Sequence, residues 1–249
     1  MKPVSLVLCA ALAVSLAAGA AAKAPPAYIE KAVADPSRPA DDRKADAARK
    51  PDLVMAFAGV HPGETIGEYL PGGGYYTRML SDVAGPSGKV YALETTTWGQ
   101  ENVDDAKKVA AEPGRGNITL DLSPLGTFHA PGKVDLFWTT LNYHDLHVPK
   151  YANVDMAAFN KLVFDALKPG GIYFIEDHAA AAGKGISDAP KLHRIEKSAV
   201  IAEVEAAGFK LVGESDLLKN PDDDHTKAIF DPAIRGKTDQ FLLKFRKPG

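Results

Sequence analysis

A doubly wound α/β domain, a mostly parallel seven-stranded sheet with helices on both faces, is what this 249-residue sequence predicts. Three observations carry the prediction. Short apolar, β-branched runs occur at 64–70, 89–93, 118–122, 134–141, 172–175, 210–213 and 240–245. Longer helical patterns separate most of them, at 75–84, 102–112, 154–167 and 189–207; strand-helix alternation of this kind demands crossovers and therefore parallel pairing. Finally, Gly72-Gly73-Gly74 stands between the first strand and the first helix of the alternation, at the sheet edge where doubly wound folds bind ligands.

Residues 1–22 stand apart from that domain. Lys2 supplies a positive start, a nearly unbroken apolar run extends from Val4 to Leu16, and Ala18-Gly19-Ala20 and Ala20-Ala21-Ala22 offer small-residue cleavage sites. This is the pattern of a secretory signal peptide, which places the mature chain in the periplasm or outside the cell. An uncleaved anchor is the competing reading, because about 20 apolar residues span a bilayer. The only cysteine, Cys9, lies in this segment and follows Leu8, not the small residue of a lipoprotein signal. A mature chain without cysteine excludes a disulfide scaffold and a thiolate metal site.

The chain is 45% hydrophobic and 24% charged, a composition that supports one domain with a substantial core. A net charge of −3, with no basic stripe before 244–247, gives no electrostatic reason to expect nucleic acid. Residues 23–40 hold Pro25, Pro26, Pro36 and Pro39 among alanines and are expected as an extended arm. The domain is placed at 41–249. It opens on a helix over 41–59, capped by Asp41 or Asp42, ended by Gly59 and interrupted or restarted by Pro51. The alternation follows, and a long insertion at 220–237 precedes the last strand. Such a segment can form a lid over a cleft, and its acidic start, "NPDDDH", reads as a solvated loop.

The glycine corner excludes two common ligands. A phosphate-binding P-loop needs Gly-Lys-Ser/Thr, and Tyr75 follows Gly74. A dinucleotide fingerprint needs a third glycine where Thr77 stands. What remains is a turn preceded by an acid, Glu68-Tyr69-Leu70-Pro71-Gly72-Gly73-Gly74. Downstream come Glu94 at the end of the second strand, Asp121 in "NITLDLSPL", then "VDLFWTTLNYHDL", "LVFDALKPGGIYFIEDH", "AAGFKLVGES" and "TDQFLLKFRK".

This ordered set, over roughly residues 41–247, resembles the class I S-adenosylmethionine-dependent methyltransferases. Leu70 departs from their pattern where a glycine is usual. The resemblance implies a Rossmann-like fold with an antiparallel last strand, and S-adenosylmethionine as cofactor. It assigns Glu68 to the cofactor's ammonium, Gly72, Gly73 and Gly74 to close backbone approach, and Glu94 to the ribose hydroxyls. Asp121 is assigned to the adenine amino group and Leu122 to the ring. The cofactor's carboxylate suits the N-terminus of the helix that follows the glycines.

Methyl transfer from a sulfonium is an in-line displacement, and positioning alone can supply up to about 7–11 kcal/mol. Asn142-Tyr143-His144-Asp145, with His147, follows the fourth strand where the methyl group should sit. His144 is expected as general base, because an ordinary pKa of about 6.5 suits proton transfer near neutrality. Asp145 is expected to orient it or cap the turn, and Tyr143 to wall the methyl pocket. Asp177 and His178 end the fifth strand and also point to the cleft, with His193 following. With His144, His147 and Asp145 these three are of the types that form a nitrogen and oxygen metal site, but no metal-ligand set is assigned, since no pair shows His-x-x-x-His spacing. Trp98 and Trp138 read as core or cleft wall. The expected partner is a small-molecule acceptor, and oligomeric state is not legible. Two alternatives stay open. One is a methyltransferase-like periplasmic binding protein without turnover, favoured by Leu70 and by export away from the cytoplasmic cofactor supply. The weaker one is an NAD-dependent oxidoreductase on a similar sheet.

Overall fold

The computed structural model describes residues 24–249, and the segment read as a signal peptide lies outside the described residues. Seven strands form: β1 (Thr65–Tyr69), β2 (Lys89–Thr95), β3 (Ile118–Ser123), β4 (Val134–Thr140), β5 (Leu167–His178), β6 (Lys210–Ser215) and β7 (Gln240–Arg246). They build one sheet of order β3-β2-β1-β4-β5-β7-β6. The first five pair in parallel, while β7 runs antiparallel between β5 and β6. Strand order reverses between β1 and β4, the switch point at which ligands bind in such sheets.

Helices α1 (Ala27–Val33), α2 (Ala40–Arg49), α3 (Pro51–Ala58), α4 (Tyr75–Ala84), α5 (Gln100–Ala110), α6 (Met156–Ala166), α7 (Ala189–Leu192) and α8 (Lys197–Ala206) cover both faces, with a 3-10 turn at His144–His147. Side chains alternate along each strand, so Ile66, Trp138 and Phe174 join the core under α3 and α4. Tyr69, Phe137 and Tyr173 join the opposite core, under α6 and α8.

Three expectations are corrected. Residues 23–40 are not an extended arm, for α1 buries Ile29 and Ala32 in the α4-side core. The prolines act there as helix starts: Pro26 is the N-cap residue of α1 and Pro39 that of α2. Arg38, 1% exposed, ties the segment down through Asp46, which also accepts from the Tyr75 hydroxyl. The pattern at 189–207 divides into α7 and α8, because His193 adopts φ 55 and Ile195 pairs with β5 through the carbonyl of His178 and the amide of Ala180. Finally, the run expected at 172–175 starts earlier, for β5 takes in "KPGG", where Gly170 and Gly171 bond to Lys247 of the β7 end. Among the described residues no helix is long and apolar enough to cross a membrane.

The glycine corner is locked from behind. Gly74 has φ 81, and a Cβ on it would lie 2.6 Å from a Val109 methyl group of α5. Gly74→Ala is therefore expected to cost more than the roughly 1–2 kcal/mol of left-handed strain alone, measured by urea unfolding. Wild-type stability in this variant would remove the close α4–α5 approach as the reason for glycine here.

Candidate functional site

At the corner, the chain leaves β1 through Leu70, held at φ 57, the position where a glycine is usual in the resembled family. The Gly74 amide closes a turn on the Pro71 carbonyl, and Arg78 grips the Gly73 carbonyl at 2.8 Å while pairing with Glu112. Space above Gly72 and Gly73 is open, since a Cβ on either would meet nothing within 4 Å. Glu94 accepts the Gly72 amide at 3.0 Å and the Thr95 amide at 2.7 Å. Its carboxylate is thus pinned to the corner on the strand adjacent to β1.

Glu68 lies deeper, 3% exposed, on the α4 face. Burial, with repulsion from Glu94 added, pushes its pKa up to about 7. Glu176 of β5 occupies the same face and is pushed to about 7, again by burial; the Tyr76 hydroxyl reaches it at 3.4 Å. Arg49, at the end of α2, stacks on the rings of Tyr75 and Tyr76 at 3.9 and 4.9 Å and draws both acids toward their charged forms. Five buried polar atoms here have no partner: Glu68 Oε2, Thr77 Oγ1, Trp138 Nε1, Glu176 Oε1 and Arg49 Nε. Buried polar groups are normally satisfied, so this cluster under the carboxyl ends of β1, β4 and β5 calls for a polar guest.

A pH dependence follows from the two raised acids. Between about pH 4.5 and 7 the native state keeps a proton that the unfolded chain has released. Stability therefore falls with rising pH across that window, at up to about 1.4 kcal/mol per unit for each acid. Glu68→Gln and Glu176→Gln should gain on wild type as pH rises from 5 to 8, read as the difference between their urea unfolding free energies. A difference constant with pH would contradict the raised values.

Asp121 is not brought to the corner. It pairs in register with Leu93, so it faces away from Glu94, and its carboxylate is engaged by the Ser123 hydroxyl and the His129 amide. Leu122, in register with Glu94, is on the corner's side and 37% exposed, free to meet an apolar ring.

The loop after β4 corrects two further expectations. Tyr143 does not wall a pocket: it is fully buried in the α6-side core, donating to Glu203 and accepting from Asn160, each at 2.8 Å. His144 is oriented by Asp177 rather than Asp145. The Asp177 carboxylate meets His144 Nδ1 at 2.6 Å and also takes its backbone amide at 2.8 Å. Asp145 sits instead at Nε2, 3.3 Å away, and accepts His193 Nδ1 at 3.0 Å. Burial lowers the His144 pKa, but the two carboxylates outweigh it and push it up to about 10. At neutral pH it is an imidazolium between two acids, not the free base its ordinary pKa implied. Burial works against Asp145 as well, but its bonds to both histidines hold its carboxyl below the usual range. Asn142 bonds to the Leu70 carbonyl at 3.1 Å and links this loop to the glycine corner.

A cavity of about 420 Å³ opens at the same carboxyl edge of the sheet. Trp98 and Asn102 line one side, Asp145 and Tyr151 another, and His193 and Phe230 the third. Phe230 comes from the insertion at 220–237 and packs on His193 with ring centroids 4.9 Å apart. The insertion is anchored rather than solvated at its start, for Asp223 is 4% exposed and pairs with buried Arg194 at 2.8 and 3.1 Å.

Arg49 and Glu176 were missed by sequence reasoning. Arg49 belongs to no motif, and Glu176, though inside "LVFDALKPGGIYFIEDH", carries no role in it; the antecedent helix and the strand face put them on the same side of the sheet as Glu68.

No protein-family model and no curated protein sequence matches the chain. Solved structures do share its fold. An S-adenosylmethionine-dependent methyltransferase from Aquifex aeolicus aligns with TM-score 0.58 and 21% identity, over 83% of this chain and 96% of that one. Aeropyrum pernix fibrillarin, solved with natively bound S-adenosylmethionine, gives 0.51 and 18% over 81% and 76%. The cyclase SpnF gives 0.55 and 18% over 84% and 81%. At these identities the likeness is one of fold.

Proposed function

We propose that the chain binds S-adenosylmethionine at the glycine corner and transfers its methyl group to a small molecule. One observation carries the reading. The backbone at Gly72 and Gly73 is open to a ligand beside a pinned carboxylate, Glu94, at the switch point of the sheet. The polar cluster beneath fits the rest of the cofactor, since an amino-acid end brings both an ammonium, for Glu68, and a carboxylate, for Arg49. Glu94 has lone pairs left for ribose hydroxyls, and Leu122 offers an apolar face to adenine. When bound, the sulfonium supplies an electrophilic methyl group. The chain's part is to hold the acceptor in line, and the cavity of about 420 Å³ has the size of a small-molecule site. His144, buried and bonded at both ring nitrogens by Asp177 and Asp145, suits holding the loop beneath the acceptor better than taking the acceptor's proton.

Gly73→Ala isolates this reading from folding. The backbone there has no positive φ and no close neighbour, so the thermal midpoint should stay at the wild-type value while calorimetric affinity for S-adenosylmethionine drops about tenfold or more, roughly 1.4 kcal/mol. Unchanged affinity would move the cofactor away from the corner.

Turnover is the finer claim. The fold also serves the cyclase SpnF, so binding without methylated product across an acceptor screen would favour a binding or differently acting protein. Export rests on residues 1–22 alone. N-terminal sequencing of the protein from a periplasmic extract should begin after the alanine-rich stretch; an intact Met1 there would contradict it.

A further inference from the structure

Beneath the cavity, two imidazoles and a carboxylate converge from segments far apart in the chain. We propose that His144, Asp145 and His193 hold one divalent transition-metal ion of the zinc type at the cavity floor.

The spacing fits an ion. His144 Nε2 and His193 Nδ1 lie 3.3 and 3.0 Å from the same Asp145 oxygen, and the three ligand atoms all fall within 4.8 Å of one another. Donors about 2.0–2.2 Å from a zinc ion in tetrahedral array stand roughly 3.3–3.5 Å apart, so closing around an ion asks the two imidazole nitrogens, at most 4.8 Å apart, to approach by no more than about 1.5 Å. The set itself, two imidazole nitrogens and one carboxylate oxygen, suits zinc or iron(II) and not calcium or magnesium, which favour oxygen alone.

An outer carboxylate completes the pattern. Asp177, wholly buried, bonds to His144 Nδ1 at 2.6 Å and holds the backbone amide of the same residue. On metal binding such a carboxylate keeps the proton on Nδ1 and leaves Nε2, once its own proton is released, to face the other two donors, as second partners of metal-bound histidines do. His193, which ends α7 at φ 55, places its Nδ1 3.0 Å from Asp145.

Charge argues the same way. Asp145 and Asp177 place two carboxylates around imidazoles, and the nearby guanidinium of Arg194 is engaged by Asp223. An ion at Nε2 takes the place of the second imidazolium proton as the positive charge between the two carboxylates. Access is provided because Asp145 and His193 line the cavity while His144 lies below it. Three protein ligands leave a coordination position for a cavity ligand, the arrangement of catalytic rather than structural zinc.

The test uses the purified chain, stripped with a chelator and titrated with zinc chloride and cobalt(II) chloride without cofactor. Calorimetry in two buffers of different ionisation enthalpy should show one equivalent bound with release of a proton from His144 Nε2. His193→Gln and Asp145→Asn should each weaken binding about tenfold or more, and Asp177→Asn, acting through His144, by about 10–100-fold. His61→Ala, at an exposed histidine, should change nothing. Circular dichroism verifies each fold, and His193→Gln, at the cavity wall, decides should the buried variants not fold. No stoichiometric binding, or equal affinity in wild type and His193→Gln, would reduce the cluster to a hydrogen-bonded one and overturn the proposal. Either result leaves the cofactor-binding reading intact, since no S-adenosylmethionine is present.

Discussion

Glu94→Ala is expected to lower affinity for S-adenosylmethionine by about a hundredfold or more. Hydrogen bonds to a charged acceptor contribute roughly 1.5–3 kcal/mol each, and two ribose hydroxyls would lose theirs together. The same carboxylate accepts the Gly72 and Thr95 amides, so the alanine variant also leaves donors unpaired and should lose stability, about 1–3 kcal/mol for each that stays dry. Glu94→Gln separates the two effects. It keeps one acceptor oxygen and the side-chain volume, so urea unfolding should move less while calorimetric affinity still falls. Binding within a few-fold of wild type in a folded Glu94→Ala protein would remove the ribose role.

Arg194→Met is expected to destabilise the fold by about 3–5 kcal/mol, the cost of leaving one partner of a buried ion pair uncompensated. Arg194 and Asp223 side chains are 0% and 1% exposed and meet through two bonds. Arg194 also bonds to the carbonyls of Lys227 and Ala179, so it stitches the insertion at 220–237 to the end of β5. Pairing the variant with Asp223→Leu should restore part of the loss, because an apolar pair of similar volume avoids the stranded carboxylate. Urea unfolding of the three variants gives the coupling energy directly. Equal stability of Arg194→Met and wild type would mean that the clasp does not hold the insertion, and with it Phe230, against the cavity.

Local patterns carried most of the fold. The helix at 75–84 was legible to its ends because its glycine start and apolar spacing lie within one stretch. The prolines at 23–40 suggest extension, yet Pro26 and Pro39 start helices, a distinction that depends on Ile29 and Ala32 finding a core to enter. Site chemistry was legible as residue type and less so as partnership. Asp121 and Leu122 are adjacent, and a single step of register decides which of them shares a face with Glu94. Tyr143 and His144 are likewise neighbours, but the 3-10 turn sends the first into the core and the second onto Asp177. That partnership exists only because β4 and β5 lie side by side, and the charge of Arg49 acts on Glu68 and Glu176 only because α2 folds onto α4. Long-range pairing of this kind leaves no spacing signature in one chain.

Isothermal calorimetry of the purified protein with S-adenosylmethionine, its demethylated product and NAD, repeated on Gly73→Ala, addresses the central claim most directly. Saturable binding of both adenosyl compounds at one site, weakened at Gly73→Ala and absent for NAD, is the predicted result. Binding of NAD alone, or of none of the three by a folded protein, would contradict it.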